Sequence, residues 1–168
     1  MEHSKRKNLR LPGYDYSQAG GYFITICTHQ RRCVLSGICR DGEGTRAQVI
    51  LTALGRILQD ILEETAVDFG IGLDAYVLMP NHIHLLLRME DRDDRKRVTV
   101  GRYIGAFKSI ATKRWREECE RRGIYADKLW QRGFYDHILR NEADYYEKLR
   151  YIDENPDRWL EDGMYVRM

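Results

Sequence analysis

The segment GIGLDAYVLMPNHIHLLLRM, Gly70 to Met89, decides how the rest of the chain is read. It is apolar on both sides of a break at Pro80 and Asn81. It divides there into two strands, because proline cannot donate to a sheet ladder and asparagine favours turns. The second strand carries two histidines, His82 and His84, with only Ile83 between them. Residues i and i+2 of a strand project to one face, so two imidazoles stand side by side where two aliphatic side chains could pack. Such a pair offers ligands, bases or pH-sensitive groups, and it makes a poor core.

Working outward, TALGRILQDILEETA places Leu54, Ile57, Leu58, Ile61 and Leu62 at helical spacing. Before it, CVLSGICRDGEGTRAQVIL reads as a hairpin turning at RDGEG, since Asp-Gly is a strong turn signal. GGYFITICTHQ alternates Tyr22, Ile24 and Ile26 with Phe23, Thr25 and Cys27 and reads as a buried first strand. Downstream, DRDDRKR is a charged, exposed loop. VTVGRYIGAFKSIATKRWREECERR is a long helix with a stripe through Val100, Ile104, Phe107, Ile110, Ala111 and Trp115. LWQRGFYDHIL is a further strand. NEADYYEKLRYIDENP is a last helix, with Asn141 as its cap, Asp144 in the capping-box position, a core stripe of Tyr145, Leu149 and Ile152, and Pro156 past its end.

Setting the hairpin and the last helix aside leaves β-α-β-β-α-β. This is the α+β, ferredoxin-like antiparallel unit, with helices on one face and the other face free for a site. The 168 residues suit a single domain, with a basic arm at 1–18 and the C-terminal helix at 140–156.

Composition narrows the function classes. With 43% hydrophobic residues and mixed charges, the chain reads as a soluble globular protein. No stretch approaches the roughly 18 apolar residues of a membrane span, and the basic N-terminus lacks the apolar region of a signal peptide. A cytoplasmic location is expected. Cys27, Cys33, Cys39 and Cys119 form no CxxC pair and no zinc pattern, so free thiols are expected. The net charge of +2 says little about partners; its distribution says more. Lys5, Arg6, Lys7 and Arg10 lie in the arm. Arg95, Lys96, Arg97, Arg102, Lys108, Lys113, Arg114 and Arg116 lie between Arg92 and Arg122, diluted by Asp93, Asp94, Glu117, Glu118 and Glu120. A solvated helix face and a patch that follows a phosphate backbone both account for this.

Three readings of the histidine pair compete: two half-exposed histidines without a ligand, a two-histidine metal site, or an acid–base pair of the RNA-type phosphoesterase kind. The last normally takes its second histidine from a repeated motif, and no second HxH or HxT occurs. A metal site needs at least a third ligand. His137 is one candidate. Asn155 is another, one helical turn after Tyr151 and beside it on the flank of the last helix's core stripe. Asn155 also suits a C-cap before Pro156, and Tyr151 suits a partly buried packing role.

Taken together, these pieces resemble a known family. NHIH resembles the HUH motif, two histidines flanking a hydrophobic residue. YIDENPDRW, after RNEADYYEKLR, resembles the nucleophile helix of single-tyrosine HUH transposases. With RLPGYDYSQAGGYFITICT, AYVLMPNHIHLLL, GRYIGAFKSIATKRW and WQRGFYDHIL in this order, the chain is most similar to the REP-associated tyrosine transposases. The resemblance implies an endonuclease and strand transferase that cleaves and rejoins single-stranded DNA near hairpins through a 5′-phosphotyrosine. It implies Tyr151 as nucleophile, Tyr145 and Tyr146 being chemical rivals off the motif position. It implies His82 and His84, with Asn155 third, as ligands of Mg²⁺ or Mn²⁺. It implies single-stranded or hairpin DNA as the partner, bound by a monomer or a homodimer. Arg6, Lys7, Arg10, Arg102, Lys108, Lys113, Arg114 and Lys148 are the expected DNA contacts, with Tyr14, Tyr16, Tyr103 or Trp130 stacking on unpaired bases. The competing classes are a non-catalytic ferredoxin-like nucleic-acid-binding module and a metal-dependent phosphodiesterase that activates water.

Overall fold

The break at Pro80 and Asn81 falls between two strands, and the chain on either side folds around them. A computed structural model describes residues 15–40, 46–91 and 98–166. Its elements are β1 (Gly20–Cys27), β2 (Ser36–Cys39), β3 (Gln48–Leu51), α1 (Ala53–Phe69), β4 (Gly72–Leu78), β5 (His82–Met89), α2 (Val100–Arg121), β6 (Tyr135–Ile138) and α3 (Glu142–Glu154). The main sheet runs β4-β5-β1-β6 with every pairing antiparallel, the ferredoxin-like order. β2 and β3 pair as the expected hairpin, but as a separate two-stranded sheet. Arg6, Lys7, Arg10, Tyr14, most of the RDGEG turn and nearly all of DRDDRKR lie outside the described residues.

Alternation along β1 and β5 divides the side chains between two faces. Tyr22, Ile24 and Ile26 join Ile83, Leu85 and Leu87 against α1 and α2 in one buried core. Leu86, Val77 and Met79 face the other way, where Ile152 of α3 and Trp159 complete a second, smaller core. This second face is therefore not free: α3 and the β2–β3 hairpin, through Ile38 and Val49, pack on it. The site lies beneath α3 instead of on a bare sheet.

Local chemistry sets the helix ends. Thr52 Oγ1 accepts from the Gly55 N–H at 2.9 Å and starts α1, and Gly70, at φ 57°, ends it in the left-handed region that glycine tolerates best. Gly55 lies so close to the preceding loop that a Cβ there would sit 2.0 Å from the Leu35 carbonyl oxygen. Thr99 caps α2 through the Arg102 N–H. The α2 stripe differs from expectation at one position: Tyr103 is fully buried while Ile110 is 44% exposed. At 100° per residue, Ile110 falls about 75° from the stripe's centre, beyond the edge that Tyr103 occupies. Among the described residues, no helix is long and apolar enough to cross a membrane.

Candidate functional site

His82 and His84 begin β5 and project toward α3, with ring centroids 4.5 Å apart. Both are essentially inaccessible to solvent. Each ring is held by its Nδ1: His84 against Thr25 Oγ1 on β1 at 2.8 Å, His82 against Asn81 Oδ1 at 2.8 Å. The Asn81 amide donates its Nδ2 hydrogens to the Arg31 and Met164 carbonyls, which leaves its oxygen facing His82. An amide oxygen only accepts, so Nδ1 of His82 carries the hydrogen and Nε2 presents a lone pair. Nε2 of both rings is buried with no hydrogen-bond partner among the described residues, as is Asn155 Oδ1. Buried polar atoms without partners are costly, so three of them at one place mark a site shaped for something else.

Burial also fixes the charge state. Desolvation lowers the His82 pKa to about 4, although the Asp162 carboxylate and the Asn155 amide favour its protonation. Desolvation, and then the neighbouring His82, push His84 well below the ordinary value. Both rings are neutral near pH 7, the state a metal ion requires.

Asp162 is the residue that sequence reasoning did not single out. Its side chain is 6% exposed and its Oδ2 lies 3.8 Å from His82 Nε2. Ligand atoms of His82, His84 and Asp162 all fall within 4.8 Å of one another, a group able to hold a metal ion. The Met164 N–H donates to its Oδ1 at 2.7 Å and Asn155 Nδ2 to its Oδ2 at 3.3 Å. Asp162 follows the last helix in a stretch without periodicity, so no pattern points to it. Asn81 and Thr25 were legible only as a turn residue and a strand residue.

Tyr151 stands over this group. Its ring is 5.2 Å from the His84 ring and 5.7 Å, edge-on, from Phe23, while 40% of the residue stays exposed. It lines a cleft of about 270 Å³ with Asn155, Arg158 and Asp162. Desolvation and Asp162 raise its pKa; Asn155, Lys148 and Arg158 oppose the rise. The rival tyrosines sit elsewhere: the Tyr145 hydroxyl donates to Asp74 at 3.2 Å, and Tyr146 packs edge-on against Tyr145. His137 is not part of the group. Its Nε2 meets both Asp144 oxygens, at 2.8 and 2.9 Å, and ties β6 to the first turn of α3. Asp144 also accepts from the Arg140 N–H, one residue before the Asn141 cap.

The expected DNA contacts are dispersed. Lys148, on the Tyr151 flank of α3, pairs with Glu147 at 2.7 Å and lies 6.0 Å from the Phe23 ring centroid. On α2, Arg102, Lys113 and Arg114 are exposed, the latter two paired with Glu117. Lys108 donates to the Gln131 and Gly133 carbonyls, and desolvation lowers its pKa to about 8. Tyr103 does not serve as a stacking platform: it is fully buried, with its hydroxyl on the Leu62 carbonyl. Tyr16 is partly buried and donates to Asp136 at 2.6 Å.

Comparison with known proteins places these observations. A family model described as IS200-like transposase matches residues 19–155. An uncharacterized protein of Haemophilus influenzae is 30% identical over 179 residues, covering 96% of this chain and 93% of its own length. A REP-associated tyrosine transposase of Escherichia coli is 26% identical, over 84% of this chain and 68% of its own length. The structure of a REP-associated tyrosine transposase bound to a REP hairpin superposes with a TM-score of 0.59 at 20% identity, over 94% of this chain and 74% of that one, and so shares the fold.

Proposed function

The chain belongs to the IS200-like transposase family, and we propose that it cleaves single-stranded DNA beside a hairpin and rejoins it through Tyr151. The observation that carries this reading is the pair of buried, neutral imidazoles with unpartnered Nε2 atoms, one of them 5.2 Å, centroid to centroid, from the Tyr151 ring. The relative solved with a REP hairpin supports a DNA hairpin as partner.

In the proposed reaction the Tyr151 oxygen bonds to phosphorus and the P–O3′ bond breaks. The phenolic proton passes to solvent, and the departing O3′ takes one up. The products are a 5′-phosphotyrosyl adduct and a free 3′-OH. The adduct keeps the phosphodiester energy, so a second 3′-OH reverses the step without a high-energy cofactor. Burial works against the phenolate, so the nearby Asn155, Lys148 and Arg158 matter because each favours it.

His82 and His84 through Nε2, Asn155 through Oδ1 and Asp162 through its carboxylate fit a divalent ion, Mg²⁺ or Mn²⁺, and the imidazoles favour Mn²⁺. Bound there, such an ion would neutralise charge developing on the scissile phosphate. Arg102, Lys108, Lys113 and Arg114, with Arg6, Lys7 and Arg10 of the arm, would hold the flanking phosphates. The Tyr151 ring stands against the His84 ring of its own chain.

The test is incubation with Mn²⁺ and 3′-labelled single-stranded DNA carrying the hairpins that flank the protein's own gene. A label that becomes attached to wild-type protein, but not to Tyr151→Phe, is the expected result. Cleavage that survives Tyr151→Phe without an adduct would instead assign a water-activating phosphodiesterase.

A further inference from the structure

On the α2 side of the sheet, an open cleft of about 600 Å³ lies between α2 and the segment 125–132. Its size is that of a small-ligand site. Lys108, Arg116, Tyr125, Lys128, Trp130 and Arg132 line it. The carboxylate of Asp127, also in the wall, is already engaged by Arg32 at 3.6 Å and by the Lys128 N–H. Arg116, Lys128 and Arg132 form no ion pair among the described residues, so the cleft is cationic.

Two aromatic residues share this wall. Tyr125 is 91% exposed and leaves its ring open to a stacking partner. Trp130 is only 8% exposed, and its Nε1–H is buried with no partner among the described residues. Lys108 spends two ammonium hydrogens on the Gln131 and Gly133 carbonyls and keeps a third. Free cations, an open ring and an unpaired indole donor together match a nucleotide: a phosphate, a π-face and a base-edge acceptor.

The cleft and the Tyr151 site lie on opposite faces of the sheet and are joined through the backbone at the end of β1. Trp130 bridges to Thr28, and the Gln131 N–H donates to the Cys27 carbonyl. Cys27 pairs with His82 across the sheet. The path from His82 to Gln131 thus crosses about two strand spacings, roughly 10 Å. Both Lys108 and Asp162 are close enough to act electrostatically on the Cys27 thiol.

We propose that this cleft is a second nucleotide site, which takes an unpaired nucleotide of the single strand leading out of the Tyr151 site. Its base stacks on Tyr125 with an edge acceptor on Trp130 Nε1, and its phosphate sits on Lys108, Arg116, Lys128 and Arg132. This rests on the reading of the chain as a single-strand transesterase.

The test measures binding of the full chain to a fluorescent single-stranded oligonucleotide of about 12 nucleotides, extending from a hairpin, with an abasic site moved along it. Loss of a stacked base is expected to weaken wild-type binding about 5- to 150-fold at one or two adjacent positions. The same abasic sites should have little further effect on Tyr125→Ala, whose exposed ring is not needed for folding, and a reduced effect on Trp130→Phe. Abasic penalties that are equal in wild type and Tyr125→Ala would overturn the proposal. Tyr151 adduct formation is scored in the same samples. Adduct without this coupling removes the cleft alone, whereas neither binding nor adduct in wild type removes the transesterase reading and the cleft with it.

Discussion

Thr25→Val tests the site through an atom that touches neither DNA nor the proposed metal ligand atoms. Thr25 lies directly opposite His84 in the β1–β5 register, is 5% exposed, and holds His84 Nδ1 at 2.8 Å. Valine has the same branching and nearly the same shape, so the strand keeps its packing and loses only the hydroxyl. His84 Nδ1 is then buried without a partner, which costs about 1–3 kcal/mol. The ring also loses the contact that fixes its tautomer and orientation, and such losses weaken metal binding about 10- to 100-fold. That factor corresponds to about 1.4–2.7 kcal/mol, in agreement with the hydrogen-bond estimate. The assay is the rate of adduct formation as a function of Mn²⁺ concentration. The half-saturating concentration should rise by about tenfold or more, while the rate at saturating Mn²⁺ changes little. A variant with unchanged half-saturation and a rate as low as that of Tyr151→Phe would refute the assignment of Thr25 as a positioning residue for a metal-holding histidine.

Three further outcomes are expected. In metal-free protein, burial lowers His82 to about 4 and also pushes His84 well below its ordinary value. The unfolded chain therefore takes up protons first as the pH falls, and stability present above about 6.5 is lost toward 4, by about 3 kcal/mol for His82 alone; urea midpoints that fall no more steeply in wild type than in His82→Gln would contradict this. Gly55→Ala should cost several kcal/mol or prevent folding, because its Cβ would lie 2.0 Å from a backbone carbonyl oxygen that cannot move without the hairpin, and a thermal melt within a degree or two of wild type would count against it. Mixing His82→Ala with Tyr151→Phe should restore no adduct if each tyrosine serves its own histidines, whereas recovery of activity would mean that the two chains exchange α3.

The fold was legible wherever a period was strong and a turn was chemically marked. The alternation of β1, the Pro80–Asn81 break and the Asn141 cap all carry local causes, and each appears where its cause predicts. The histidine pair was legible because two imidazoles interrupt an apolar strand. Ile110 looks like part of the α2 stripe by residue type, but it falls beyond the edge that Tyr103 occupies, so Tyr103 is the one covered. The last helix lies outside the β-α-β-β-α-β pattern of the ferredoxin-like unit, yet Leu149 and Ile152 pack on the second face of the sheet and close it. Asp162 was not legible, because it reaches the histidines through the path of the chain after α3 and not through any spacing within an element. His137 looked like a ligand by residue type, and its partner Asp144 sits in the sequence as an ordinary helix-start acid.

The hairpin that stands apart from the main sheet has one more contact. Arg46 meets Asp153 at 2.7 Å and Asp157 at 3.8 Å, Arg40 donates to the Asp157 carbonyl, and the Ala47 N–H donates to the Asp157 carboxylate. With His137 and Asp144 at the other end, α3 is mounted at both ends like a clamped beam, and Tyr151 sits within one turn of the second clamp. A surface insertion ordinarily drifts in length between relatives without effect. In this architecture, shortening or lengthening the hairpin would tilt the beam and shift Tyr151, Lys148 and Asn155 together against the histidines.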